Sequence, residues 1–215
     1  MELTPHDLLR VNKTVDLEAS SIPNWVYQSL REAPFVVVRR APIMNGKVPI
    51  GVRGKDRTQR FGAYIDSKAI LERIAPPDIV LKEIWELIKT SSPLPAVIAL
   101  EDVQKIMEEF NLMWGPGGSV GFELVTGHPA VKESSDLDII IYSEKAISLV
   151  EASDLMYRLE NLLSISIDVQ VETPYGAFSL KEYVRGTLPL LLKTKAGAVL
   201  VKDPWNQVIL ESSYD

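Results

Sequence analysis

Five consecutive residues, Asp138-Ile-Ile-Ile-Tyr142, constrain the fold of this chain more than any other segment. A short, β-branched apolar run of this kind reads as a central strand. The strand begins with Asp136-Leu137-Asp138, and the two-residue period of a strand puts both carboxylates on one face while Leu137 points to the other. Hard oxygen ligands in that arrangement suit Mg²⁺, which takes one or two carboxylates together with waters and substrate phosphates. A solvated acid pair at the start of a strand is the plain alternative, and Asp-x-Asp alone does not separate the two.

The second half supplies a partner strand. Residues 144–163 have helical periodicity, and Ser164 to Glu172 then alternates, with Ile165, Ile167, Val169 and Val171 on one face and Ser166, Asp168 and Gln170 on the other. After a helical crossover such a strand can pair beside the first, bringing Asp168 toward Asp136 and Asp138. As a third acid it could bind metal and help deprotonate an attacking hydroxyl.

Upstream, Gly115-Pro-Gly-Gly-Ser119 could turn backbone N–H groups and the Ser119 hydroxyl toward a phosphate chain, because glycine permits close backbone approach. The same residues match Gly-x-Ser-x-Gly as Gly117-Gly118-Ser119-Val120-Gly121, so a serine hydrolase is the rival from another class. A nucleophile elbow follows a strand, whereas 103–110 reads as helix, and neither His6 nor His128 follows Asp136 as the hydrolase order requires. A non-catalytic binding module is the third reading, favoured if the third acid fails to reach the other two.

The opening third looks strand-rich. Residues 35–38 and 48–52 read as strands, with turn chemistry at Pro42 and Asn45-Gly46 between them. Pro76-Pro77 ends this part, and Asp78 is a candidate N-cap for a helix to about Thr90, stopped by Pro93 and Pro95. A second helix from about Leu100 to Phe110 aligns Val103, Ile106, Met107 and Phe110. The expected organisation is a small domain over 1–77 and an α+β domain over 78–215.

Charge is unevenly spread. The chain carries −6 overall, yet residues 31–60 hold eight basic residues against Glu32 and Asp56, a net of +6 that leaves −12 for the rest. The overall balance argues against general nucleic-acid binding. The local excess could attract a polyanionic ligand, with Arg39 and Arg40 the foremost candidates, or could be a solvated face. Lys193 and Lys195 fall on alternate positions of a probable strand ahead of Gly197 and are candidate phosphate contacts or solubilising lysines. Cysteine is absent, which excludes a disulfide framework and a thiol nucleophile. The start, MELTPHDLLRVNK, lacks a charged-then-apolar layout, and no apolar run nears a membrane span, so a cytoplasmic protein is expected.

Taken together, Gly118-Ser-Val-Gly-Phe-Glu-Leu-Val-Thr-Gly127 and Ser135-Asp-Leu-Asp138 resemble the malonate decarboxylase holo-acyl-carrier-protein synthases, which are phosphoribosyl-dephospho-coenzyme A transferases. The resemblance extends to Val36-Val-Val-Arg-Arg40, Pro49-Ile-Gly-Val-Arg53, Thr173-Pro-Tyr-Gly-Ala-Phe-Ser179, Leu191-Leu-Lys-Thr194 and Asp203-Pro-Trp205, nearly the whole chain. The 16 residues from Ser119 to Asp136 exceed the usual nucleotidyltransferase spacing, but the intervening segment is itself a mark of the narrower family.

The resemblance implies a nucleotidyltransferase-like mixed sheet flanked by helices, with a small strand-rich N-terminal domain. It implies transfer of a 2′-(5″-phosphoribosyl)-3′-dephospho-coenzyme A group from triphosphoribosyl-dephospho-coenzyme A to a serine of the acyl-carrier-protein subunit of malonate decarboxylase. Pyrophosphate would leave. Asp136 and Asp138 would bind Mg²⁺, Asp168 would activate the hydroxyl, and Gly118, Ser119, Arg39, Arg40 and Lys193 would meet donor phosphates. A Mg²⁺-dependent nucleotidyltransferase with another donor and acceptor is the alternative.

Overall fold

The computed structural model describes residues 2–56, 58–85, 94–162 and 165–206. The first sheet contains β1 (Leu8–Val11), β2 (Phe35–Val38), β3 (Lys47–Arg53), β4 (Arg60–Asp66) and β5 (Ile70–Ile74), in the order β4-β3-β2-β1-β5 with antiparallel neighbours. Alternation divides its two faces. Leu9, Val36, Val38, Ile50, Val52 and Ala63 face a core completed by Val26 and Leu30 of helix α1 (Asn24–Glu32). Asn45 and Gly46, at φ 50° and 74°, make the tight turn before β3 that their sequence predicts.

The second sheet contains β6 (Met113–Pro116), β7 (Leu137–Tyr142), β8 (Ile167–Thr173), β9 (Gly176–Ser179), β10 (Leu190–Thr194) and β11 (Gly197–Val201), in the order β11-β10-β9-β8-β7-β6. β7 and β8 are parallel and the other neighbours antiparallel. Leu137, Ile139, Ile141, Val169 and Val171 enter one core with Leu100, Val103 and Met107 of helix α3 (Pro95–Glu109) and Leu155 and Leu159 of helix α5 (Leu149–Leu162). Each such aliphatic side chain contributes roughly 1.5–3 kcal/mol through burial, so this face is strongly specified. The chain is thus α+β, a mixed sheet flanked by helices beside a strand-rich N-terminal region.

Several boundaries differ from the sequence reading. Asp78 is not an N-cap: helix α2 (Pro76–Leu81) starts two residues earlier, and the Asp78 carboxylate accepts the Ala75 N–H at 2.7 Å. Pro76 and Pro77 begin this helix rather than merely ending a strand, because first-turn N–H groups lack helical partners anyway. The helix closes at Leu81, with Lys82 as its C-cap and Glu83 at φ 50°, so it does not run on unbroken toward the expected Thr90, which lies with Pro93 outside the described residues. Pro95 likewise opens α3. The helix expected over 144–163 starts at Leu149 after a reciprocal cap, in which Glu151 N–H donates to Ser148 Oγ at 3.2 Å and Ser148 N–H to Glu151 Oε2 at 3.0 Å. Among the described residues no helix is long and apolar enough to cross a membrane.

Candidate active site

Parallel pairing of β7 with β8 sets Asp138 directly beside Asp168, with Ile140 beside Gln170 and Tyr142 beside Glu172. Register partners share a face, so the polar side of β8 adjoins the acid-bearing side of β7. Asp136 stands just ahead of β7. Burial foremost, then the charges of Asp136 and Asp168, pushes the Asp138 carboxyl up to about 6, against a smaller opposing pull from His6 and Arg53. The three acids therefore share one electrostatic neighbourhood. They do not form a closed cage, for among the described residues no group of three or more acids or histidines is arranged to hold a metal ion. Asp136, Asp138 and Asp168 thus do not meet as a three-ligand metal set; Mg²⁺ commonly takes one or two carboxylates beside water and substrate phosphate.

The glycine stretch sits against this face. β6 ends at Pro116, the Gly117 N–H donates to the Asp138 carbonyl at 2.9 Å, and helix α4 (Gly118–Thr126) follows. Gly118 has φ +54°, and a Cβ there would lie 2.6 Å from Asp138 Cγ and overlap the carboxylate. The loop follows a strand rather than the helix expected, which is the local setting of a nucleophile elbow. Ser119 is nevertheless buried and is not on the cavity wall described below, while the neighbour across the turn is a carboxylate. The backbone at Gly117 and Gly118, rather than the Ser119 hydroxyl, borders the open space.

That space is a cavity of about 400 Å³ between the two sheets. The N-terminal sheet contributes Leu8, Val37, Gly51 and Gly62, with Arg39, Arg53 and Arg60; the facing wall comes from Gly117, Gly118 and Phe122. Arg39 therefore lies in the cavity. Arg40 does not. The alternation that aims Arg39 inward sends Arg40 to Glu172, a buried carboxylate that it hydrogen-bonds across the sheets.

Glu172 also approaches His6 Nε2 at 3.4 Å, and that nitrogen lies 2.6 Å from Gln170 Nε2. Burial alone would raise the Glu172 pKa; the His6 hydrogen bond and the Arg40 charge outweigh it and hold the carboxyl below its usual range. His6 itself lines the cavity from a left-handed backbone, φ 74°, an uncommon conformation for a non-glycine residue. Sequence reasoning passed over His6, since a lone histidine near a terminus has no pattern. The interior glycines Gly51 and Gly62 hint instead at the close approach of Arg39, because glycine inside a strand often marks close approach by another group.

Lys193 is exposed on β10, in register with Ala177 and three strands from β7, away from the cavity. Lys195 lies in the turn after β10, so the two lysines do not share a strand face. Glu123 is a site-building residue. Its buried carboxylate accepts the N–H groups of Ala130 at 2.6 Å and Val131 at 2.7 Å, bracing the loop that returns the chain to Asp136. The long spacing from Ser119 to Asp136 is thus a helix plus a braced return.

An α+β sheet with acids on adjacent parallel strands and a glycine turn against one of them defines a nucleotidyltransferase-like protein. Two family models match the chain: phosphoribosyl-dephospho-CoA transferase MdcG N-terminal domain over residues 4–76 and the C-terminal domain of the same family over residues 83–204. The chain belongs to this family. It is 36% identical over 201 residues to a phosphoribosyl-dephospho-CoA transferase of Pseudomonas fluorescens (strain Pf0-1), covering 94% of each chain. It is 37% identical over 205 residues to the protein of that name from Azotobacter vinelandii (strain DJ / ATCC BAA-1303), covering 95% of each. A Klebsiella pneumoniae (strain 342) protein of the same name is 36% identical over 205 residues, 94% of this chain and 96% of its own. No solved structure matches the chain significantly.

Proposed function

We propose that this protein moves a 2′-(5″-phosphoribosyl)-3′-dephospho-coenzyme A group from its triphosphate precursor to a serine hydroxyl of the malonate decarboxylase acyl-carrier subunit. The observation that carries the reading is Asp138 held between the Gly117–Gly118 turn and its register partner Asp168. The turn borders the cavity, so a phosphate placed there is within reach of both the backbone and the acids. Family membership supports the donor, and the resemblance to holo-carrier-protein synthases supports the acceptor.

The serine oxygen attacks the α-phosphorus, the bond from that phosphorus to pyrophosphate breaks, and the serine proton passes to Asp168. Asp168 is exposed at the edge of the site, where a bulky carrier can present its serine. Asp136 and Asp138 would hold Mg²⁺, which when bound neutralises charge on the triphosphate and leaving group. The backbone at Gly117 and Gly118 orients the phosphate chain, and Arg39 draws the anionic donor into the cavity. Positioning and electrostatics dominate such a reaction.

The test is mass spectrometry of apo carrier subunit after incubation with this protein, Mg²⁺ and triphosphoribosyl-dephospho-coenzyme A, with an EDTA control. A metal-dependent gain of the prosthetic-group mass on one serine is expected. No gain, with folded protein and verified donor, would overturn the reading.

A further inference from the structure

The cavity-facing side of the N-terminal sheet is built in rows. Gly51 of β3 and Gly62 of β4 are register partners, and Arg53 and Arg60, two residues further along the same strands, are partners as well. Both pairs share one face, with Val37 paired to Gly51 and Leu8 paired to Val37. Two opposed glycines weaken a sheet unless something occupies the room they leave. Arg39 occupies it: a Cβ at Gly62 would lie 2.9 Å from Arg39 Cζ, and one at Gly51 would lie 3.6 Å from Arg39 Cδ. The guanidinium thus lies along a glycine furrow beside the Arg53–Arg60 row. Arg53 in turn sits over the Phe122 ring of α4, 5.8 Å from its centroid.

The cavity therefore has two kinds of wall: apolar surfaces of Leu8, Val37, Ile74, Ile79 and Phe122, and a row of guanidinium groups. Its volume, about 400 Å³, suits a nucleoside-sized group and is too small for a complete coenzyme with its pantetheine arm. Flat apolar walls beside forked cations are what a purine carrying a diphosphate requires. The acids around Asp138, by contrast, repel phosphate in the absence of a cation.

We infer that this cavity is the seat of the donor's adenosine diphosphate portion, the base against Val37 and Phe122 and the diphosphate on Arg39, Arg53 and Arg60. The assignment rests on the transfer reading above and adds a division of labour. The coenzyme end of the donor is held by the N-terminal sheet without metal, and only the triphosphate arm depends on the acids.

The test uses dephospho-coenzyme A, which lacks the triphosphoribosyl arm, titrated calorimetrically into the full chain in EDTA. Saturable one-to-one binding is expected, displaced by ADP and not by 4′-phosphopantetheine. Arg39→Ala and Arg53→Ala weaken it by about tenfold or more, the loss of one charge-assisted contact, with native circular dichroism spectra at the titration temperature. Asp138→Asn binds at least as tightly as the parent. Absent binding in EDTA, displacement by phosphopantetheine instead of ADP, or loss in Asp138→Asn with none in the arginine variants would each overturn the assignment. Carrier mass gain without metal-free dephospho-coenzyme A binding would remove the cavity assignment and leave the transfer standing; binding without mass gain would do the reverse.

Discussion

Gly118 and Asp138 are mutually exclusive with any larger residue at the first position: a Cβ on Gly118 would fall 2.6 Å from the Asp138 Cγ and into its carboxylate. The positive φ of +54° adds conformational cost for a side chain. Gly118→Ala should therefore displace the carboxylate or the turn by about an ångström while the sheets remain formed. A misplacement of that size can cost about 10²-fold in rate. Single-turnover transfer should fall by roughly that factor in a variant that still folds, its melt lowered by a few degrees; a fully active Gly118→Ala variant would contradict the geometry.

The crowded acids make a prediction about pH. Asp138 titrates near 6 in the metal-free fold but near 4 in the unfolded chain, so between those values the folded protein binds more protons. Stability from this group is present below about pH 4 and is lost as pH rises through about 6. The loss is about 2–3 kcal/mol. Asp138→Asn removes the titration, so melts in EDTA from pH 4 to 7.5 should show the parent losing stability relative to the variant. A constant difference across the range would count against the acid cluster.

Arg40 and Glu172 join the two sheets, with side chains 15% and 10% exposed. Taking away Arg40 leaves a buried carboxylate without its main counter-charge, a loss of roughly 3 kcal/mol or more. Arg40→Leu should be markedly destabilising, and adding Glu172→Leu should restore a good part of it. A double-mutant cycle by urea unfolding reads the coupling directly; strict additivity would mean that the pair is not coupled.

Glu123 is the brace of the return loop. Glu123→Ala leaves the N–H groups of Ala130 and Val131 without their acceptor in a buried setting, at about 1–3 kcal/mol for each orphaned group. Glu123→Gln keeps an acceptor oxygen and should recover part of both stability and activity. Faster amide exchange at Ala130 and Val131 in the alanine variant is the local readout.

Much of the site was legible from residue order because the relevant signals are local. The Asp136-Leu137-Asp138 alternation, the apolar run to Tyr142 and the alternating strand with Asp168 follow from a period of two, and the polar face of one strand needed only its neighbour. Boundaries at proline are less legible, because proline can open a helix as well as end an element. Pro76, Pro77 and Pro95 open helices, since a first-turn residue needs no N–H partner, and Gly115-Pro116 closes a strand too short to register as one.

What sequence alone determined is therefore the composition of each element: which side chains share a face, where carboxylates and guanidiniums gather, and which segments must be buried. Only the tertiary structure decided which faces meet. Alternation separates Arg39 from Arg40, but nothing local says that one faces a cavity and the other Glu172, 132 residues away. His6 joins the site because the chain just ahead of β1 carries its ring to the Gln170 side chain of β8. Such long-range pairings arise from packing two sheets together, where burial and charge neutralisation select one arrangement from many that the strands would permit singly.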